Sequence, residues 1–141
     1  MTSSNQTDLL NQLRNAGLRP TQQRVAIAET LFEKGHRHVS AEMVFDEMQQ
    51  GSTKISLATI YNTLNQFKEV GLLRQIAIDS NKSYFDTNTG PHHHYYYENE
   101  SKLVDIPQDS ICVSGLPDIP EGMEIDHIDV VVRLKPIDKK S

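Results

Sequence analysis

Ser56-Leu57-Ala58-Thr59-Ile60-Tyr61-Asn62-Thr63-Leu64-Asn65-Gln66-Phe67 is the stretch whose reading decides the fold. Ile60, Leu64 and Phe67 recur at helical spacing, Ser56 stands where it can cap the helix, and Gly71 lies just past its end. Opposite the apolar stripe lie Ala58, Thr59, Asn62, Asn65 and Gln66, with Tyr61 at the flank. Long Lys and Glu side chains would suffice for solubility. Small and amide-bearing ones instead make a flat face that can pair with base edges or touch a thymine methyl.

Three more helices precede this one. Leu9, Leu10, Leu13 and Ala16 mark the first, closed by Gly17. Thr21 caps the second, whose apolar face is Val25, Ala28, Leu31 and Phe32 and which ends at Gly35. Ser40 caps the third, with Ala41, Val44, Phe45 and Met48 inward. After Gly71 the apolar period changes. Residues 72–78 and 82–87 read as two strands joined by a turn at Asp79-Ser80-Asn81. Four helices followed by a hairpin is the order of a winged helix-turn-helix. The fourth helix would enter the major groove and the hairpin would be the wing.

The second half has a different grammar. Only Pro20 precedes residue 90, while Pro91, Pro107, Pro117, Pro120 and Pro136 follow it. Residues 92–97, His-His-His-Tyr-Tyr-Tyr, and residues 102–106 read as strands, and residues 124–134, with Val130, Val131 and Val132, as the clearest strand in the chain. Residues 115–122 hold too much Pro and Gly for a helix. The expected fold class is therefore α/β (α+β): a winged-helix DNA-binding domain over residues 1–87, a hinge at 88–91, and a small β-rich α/β domain over 92–141. The latter has little core of its own and open edges, which invite pairing with a second copy. A two-fold homodimer would suit a palindromic site on double-stranded DNA.

The chain has 141 residues and a net charge of −5, unevenly placed. Residues 1–90 hold nine Lys/Arg and nine Asp/Glu, and residues 91–141 hold five and ten. Arg14, Arg19, Arg24, Lys34 and Arg37 stand against Glu29 and Glu33 between residues 10 and 40, a local excess that can attract phosphates. No apolar run approaches the ~18 residues of a membrane span. The N-terminus lacks the positive and apolar regions of a signal peptide, so a cytoplasmic protein with no membrane partner is expected. Cys112 is the only cysteine, which excludes an intrachain disulfide and a CxxC zinc site.

Histidines are the other chemical signal. On a strand His92 and His94 share a face and His93 points the other way. Asp86 and Asp105 are the nearby acids, and nitrogen and oxygen ligands without thiolate suit Fe(II), Mn(II) or Zn(II). An enzyme is the competing class. No Gly-rich phosphate loop and no GxSxG occurs, and a metal-dependent hydrolase would show turnover with its metal bound.

Several motifs in order resemble the ferric uptake regulator (Fur) family: Ala16-Gly17-Leu18-Arg19-Pro20-Thr21-Gln22-Gln23-Arg24, His38-Val39-Ser40-Ala41-Glu42, and residues 55–64. The resemblance covers about residues 8–135 and implies a homodimeric, metal-dependent transcription regulator rather than an enzyme. Tyr61 and Asn62 would reach bases, while Arg19, Arg24 and Thr59 would contact backbone or minor groove, with Ala58 on the same face. The family's regulatory metal site falls on His38, Asp86, His92, His94 and Asp105. Its second site falls on His93, Cys112 and His127, with Cys112 at a usual acid. Its cysteine pairs for structural zinc are missing, since Tyr97 and Glu100 occupy the first of them.

Those missing cysteines, the His triplet and the ending from Gly115 to Leu134 resemble the iron response regulator (Irr) branch. That branch implies a repressor-type control of iron and haem genes, with haem bound through His92, His93 and His94. Cys112 is followed by Val113, so a Cys-Pro haem motif is absent. The alternative is the family's peroxide-sensing branch, whose pattern has Asp at both positions 86 and 105 and whose bound Fe(II) leads to oxidation of a ligand histidine.

Overall fold

The computed structural model describes residues 4–79 and 82–138. The chain divides into two compact units, Met1–Thr89 and Gly90–Ser141. The first holds α1 (Ser4–Asn15), α2 (Gln22–Phe32), β1 (His38–Val39), α3 (Ala41–Met48), α4 (Leu57–Glu69), β2 (Arg74–Asp79) and β3 (Lys82–Asp86). The second holds β4 (His92–Tyr97), β5 (Lys102–Pro107), a single 3₁₀ turn at Gln108–Ser110, and β6 (Val131–Leu134).

Local chemistry sets the helix ends. Thr21, Ser40 and Ser56 each accept a hydrogen bond from the backbone N–H three residues on, satisfying a donor that the helix leaves orphaned. Gly17 and Gly71 take φ of +89° and +84°. The next residue's N–H then reaches back five positions, Leu18 to Leu13 at 2.9 Å and Leu72 to Phe67 at 2.8 Å, which closes α1 and α4. Leu9, Leu13, Ile27, Ala28, Leu31, Val44, Ile60, Leu64 and Phe67 form one core with Val39 and Phe85 from the sheet and Leu73 just before β2. Ile27, absent from the expected face of α2, is fully buried.

The sheet of this unit runs β1-β3-β2, both pairs antiparallel. The hairpin β2–β3 falls where the period changed, although Ser80 and Asn81 of the expected turn lie outside the described residues. β1 was not foreseen. Two residues carry no period of their own, and they are a strand only because His38 and Val39 pair with Asp86 and Phe85.

In the second unit the order is β5-β4-β6, with β4 antiparallel to β5 and parallel to β6. The expected strand over residues 124–134 shrinks to Val131–Leu134. A strand needs a ladder partner, and β4 offers one only opposite residues 131–134. Residues 124–129 are exposed and irregular. The segment 115–122 forms no helix, as its prolines require. No helix among the described residues is long and apolar enough to cross a membrane.

Candidate metal centre and nucleic-acid interface

The fourth helix carries its two faces as the spacing predicts. Ile60, Leu64 and Phe67 are fully buried, while Ala58, Asn62, Asn65 and Gln66 are exposed. Arg19, Arg24, Thr59, Asn62 and Gln66 line an open groove of about 510 Å³ between α4 and the start of α2. The Arg24 guanidinium spans it, donating to the Arg19 carbonyl at 2.9 Å and to Gln66 Oε1 at 3.3 Å. Four of the six expected DNA-contact residues thus share one groove. Ala58 is exposed beside it, and Tyr61 faces a second groove, of about 570 Å³, toward the wing residues Gln75, Lys82 and Tyr84.

Tyr61 has a partner that sequence reasoning missed. Its hydroxyl donates to the Glu42 carboxylate on α3, and that bond raises the phenol above its usual range. The ring is half-exposed and held from its outer end. Nothing in the spacing of Glu42 and Tyr61, nineteen residues apart, signals this contact.

The first unit brings two expected metal ligands together. His38 on the edge strand β1 lies opposite Asp86 on the central strand β3, with Nε2 3.2 Å from Oδ2. Asp86 is almost fully buried, and its other oxygen accepts the Asn88 N–H at 2.9 Å. That bond orients the carboxylate and leaves Oδ2 toward the histidine.

The second unit brings together the other three. His92 and His94 alternate with His93 along β4, so both lie on one face of the sheet, and on the adjacent β5 His94 is in register with Asp105. His92 Nε2 and His94 Nε2 lie 3.3 and 3.4 Å from the same oxygen, Asp105 Oδ1. Their ring centroids are 4.5 Å apart. His92 Nδ1 sits 2.7 Å from the Gly90 carbonyl, which can only accept, so Nδ1 carries a proton and Nε2 is the nitrogen turned toward Asp105. Two Nε2 atoms converging on one carboxylate form a donor set suited to a borderline divalent ion. Each unit therefore holds its share of the expected ligands, with hydrogen bonds orienting Asp86 and His92.

Residues 15–133 match the model of the ferric uptake regulator family. The chain belongs to the ferric uptake regulator family. The peroxide-responsive repressor PerR of Staphylococcus aureus (strain Mu50 / ATCC 700699) is 39% identical over 94 residues, 67% of this chain and 63% of that protein. PerR of Staphylococcus saprophyticus is 37% identical over 99 residues, 70% and 66% of the two chains. The chain's matches thus span a little under two thirds of the length of these relatives. The structure of the ferric uptake regulator from Pseudomonas aeruginosa with manganese superposes with a TM-score of 0.70 at 25% identity, covering 91% of this chain and 97% of that one. The ferric uptake regulator of Vibrio cholerae gives a TM-score of 0.72 at 24% identity and shares the fold.

The family's second metal position finds less in this chain. His93 Nδ1 accepts the Val130 N–H at 3.1 Å, which occupies that nitrogen. His127 lies between Asp126 and Asp129, and Cys112 is exposed. No group of three or more potential ligands among the described residues includes His93, Cys112 or His127. The expectation of haem at the triplet also meets a poor fit. His92, His93 and His94 are 6, 7 and 2% exposed, and each has one ring nitrogen within 3.4 Å of a polar atom of the same unit. A porphyrin needs an open face beside the ring nitrogen that binds it, and rings this buried do not present one.

Proposed function

We propose that this member of the ferric uptake regulator family is a metal-responsive, DNA-binding transcription regulator that acts as a homodimer. The observation that carries the reading is the pre-oriented donor set: His38 with Asp86 in one unit, and His92 and His94 on Asp105 in the other. By family resemblance all five serve one ion, and their chemistry fits Fe(II), Mn(II) or Zn(II). When bound, such an ion supplies positive charge and a fixed point for the side chains that hold it. The residues then divide the work. Asp86 and Asp105 neutralise charge, the three histidines set the ligand field, and the exposed face of α4 with Arg19, Arg24, Ala58, Thr59, Tyr61 and Asn62 reads DNA.

Homodimer formation is supported by the second unit. Leu116, Ile119, Met123, Ile125 and Ile128 are all exposed, a density of apolar side chains that solvent alone does not favour. The domain reading, DNA binding over 1–87 and sensing and dimerisation over 92–141 about a hinge at 88–91, is part of the same proposal.

The signal has two readings. Control of iron genes, as in the Irr branch, is supported by the missing cysteine pairs and the ending from Gly115 to Leu134. Peroxide sensing is supported by the identity to peroxide-responsive repressors and by aspartate at both positions 86 and 105. Peroxide added to the Fe(II)-loaded protein separates them. A 16-Da gain on His38, His92 or His94 with release of DNA establishes the second reading, and unmodified histidines establish the first.

The regulator reading itself is tested by metal–DNA linkage. Mn(II) affinity measured at saturating operator DNA should exceed that measured without DNA, by a factor of about 5–150 for ~1–3 kcal/mol of coupling. Asp105→Ala should lower Mn(II) and DNA affinity together. Equal Mn(II) affinities with and without DNA would refute a switch.

A further inference from the structure

Arg37 was counted among the cations that could attract phosphates, and the structure commits it elsewhere. Its Nη1 donates to Glu47 Oε1 at 2.9 Å and to the Thr30 carbonyl at 3.0 Å, and its Nη2 to Glu47 Oε2 at 2.5 Å. Both ends of the pair are mostly covered, 19% exposed for Arg37 and 33% for Glu47. The guanidinium thereby joins the last turn of α2 to α3. The backbone of the same residue is paired as well. Its N–H donates to Thr87 Oγ1 at 2.9 Å, and its carbonyl accepts the Thr87 N–H at 3.1 Å.

The next residue is His38, and the residue before Thr87 is Asp86. β1 is two residues long, too short for its own ladder to hold an edge strand firmly, and the turn from Glu33 to His36 leads into it. We propose that Arg37, locked by Glu47, is a positioning residue for the ligand pair His38–Asp86, fixing β1 to the helices so that the His38 ring meets Asp86 before any ion arrives. The inference rests on the metal-centre reading above and adds to it a pair that contacts neither ligand side chain. A bidentate guanidinium–carboxylate pair resists rotation as well as separation, which is what holding a strand edge in register requires. Glu47 also balances a positive charge one residue from a cation ligand, so that the clamp does not oppose the ion it serves.

The test uses the full chain in four forms: wild type, Arg37→Ala, Glu47→Ala and the double variant. Mn(II) affinity is followed by the electron paramagnetic resonance of the unbound ion, and the ligand field by the visible absorption of the Co(II)-loaded protein. Each single variant should lose about 10–100-fold in Mn(II) affinity, the range typical of supporting partners. The double variant should lose no more than Arg37→Ala, because the two residues act as one unit. The Co(II) bands should shift or weaken, and Arg37→Lys, which keeps the charge but not the fork, should not restore them. The salt dependence of non-specific DNA binding should be the same in Arg37→Ala as in wild type.

A fall in melting temperature with unchanged Mn(II) affinity and unchanged Co(II) bands would make the pair an ordinary stabilising ion pair and overturn the proposal. So would a salt slope lowered by about one with metal affinity intact, which would return Arg37 to the phosphates. If Arg37→Ala does not fold, Glu47→Gln, which keeps the shape and weakens the clamp, carries the same expectation. Failure of the wild type to bind Mn(II) or Co(II) would defeat the metal-centre reading and this inference together. Wild-type binding with equal binding by the variants would defeat this inference alone.

Discussion

The two units bury their apolar residues in different ways. Residues 4–79 and 82–89 close a core of their own. Fifteen buried apolar side chains from four helices and a sheet form one cluster, and none of them lies beyond Phe85. The second unit buries Tyr96, Leu103 and Ile106 together with three histidines, and leaves a run of apolar side chains exposed between Val113 and Ile128. A short sheet with few helices to cover it cannot remove enough surface from water to stand alone. One unit is thus complete as a fold, and the other keeps much of its apolar surface in contact with solvent.

The difference can be broken most directly through the cores. Phe67→Ala removes a fully buried ring from the first unit and should destabilise it by about 3–5 kcal/mol, read by thermal or urea unfolding at any protein concentration. Leu103→Ala in the second unit should cost less at high protein concentration and more on dilution, because part of its stability comes from association. Concentration-independent unfolding in both variants would erase the distinction between the two units.

A smaller effect sharpens the DNA side. Tyr61→Ala should cost about 1–3 kcal/mol of specific binding and relax sequence preference, whereas Arg24→Ala should weaken specific and non-specific binding alike and lower the salt slope by about one. Gel-shift titrations at several salt concentrations separate the two. Since the Tyr61 hydroxyl already donates to Glu42, loss of stability with unaltered sequence preference would place Tyr61 among the packing residues instead.

The smallest effect is a dependence on acid confined to the first unit. The Arg37 bond holds the Glu47 carboxyl below its usual range and raises the guanidinium. A carboxylate with a depressed folded value stabilises above the unfolded value, near ~4.3, and loses that contribution as pH falls through the lowered value. Glu47→Gln should therefore flatten the acid limb of the stability curve by less than about 1 kcal/mol. An unchanged limb in pH-jump unfolding would show that other carboxylates dominate it.

Much of the first unit was legible in the residues because its signals are local. Caps at Thr21, Ser40 and Ser56, left-handed glycines at Gly17 and Gly71 and the stripe Ile60-Leu64-Phe67 each act within a few positions, and the structure has all of them. The alternation of the His triplet was equally local, so His92 and His94 facing Asp105 could be read from a strand period. Residues 124–129 show the limit. Their composition favours a strand, but only a neighbour makes one, and none stands beside them. β1, the Tyr61–Glu42 bond and the Arg37–Glu47 clamp are tertiary decisions of the same kind. They join positions ten to fifty residues apart whose spacing has no period, and they exist because the helix packing and the β1–β3 register carry those side chains to one another. What the sequence determined by itself was which residues could cap, bury, ligate or read. Which of them meet was decided by the tertiary structure, since contact across a fold depends on packing geometry that no local pattern encodes.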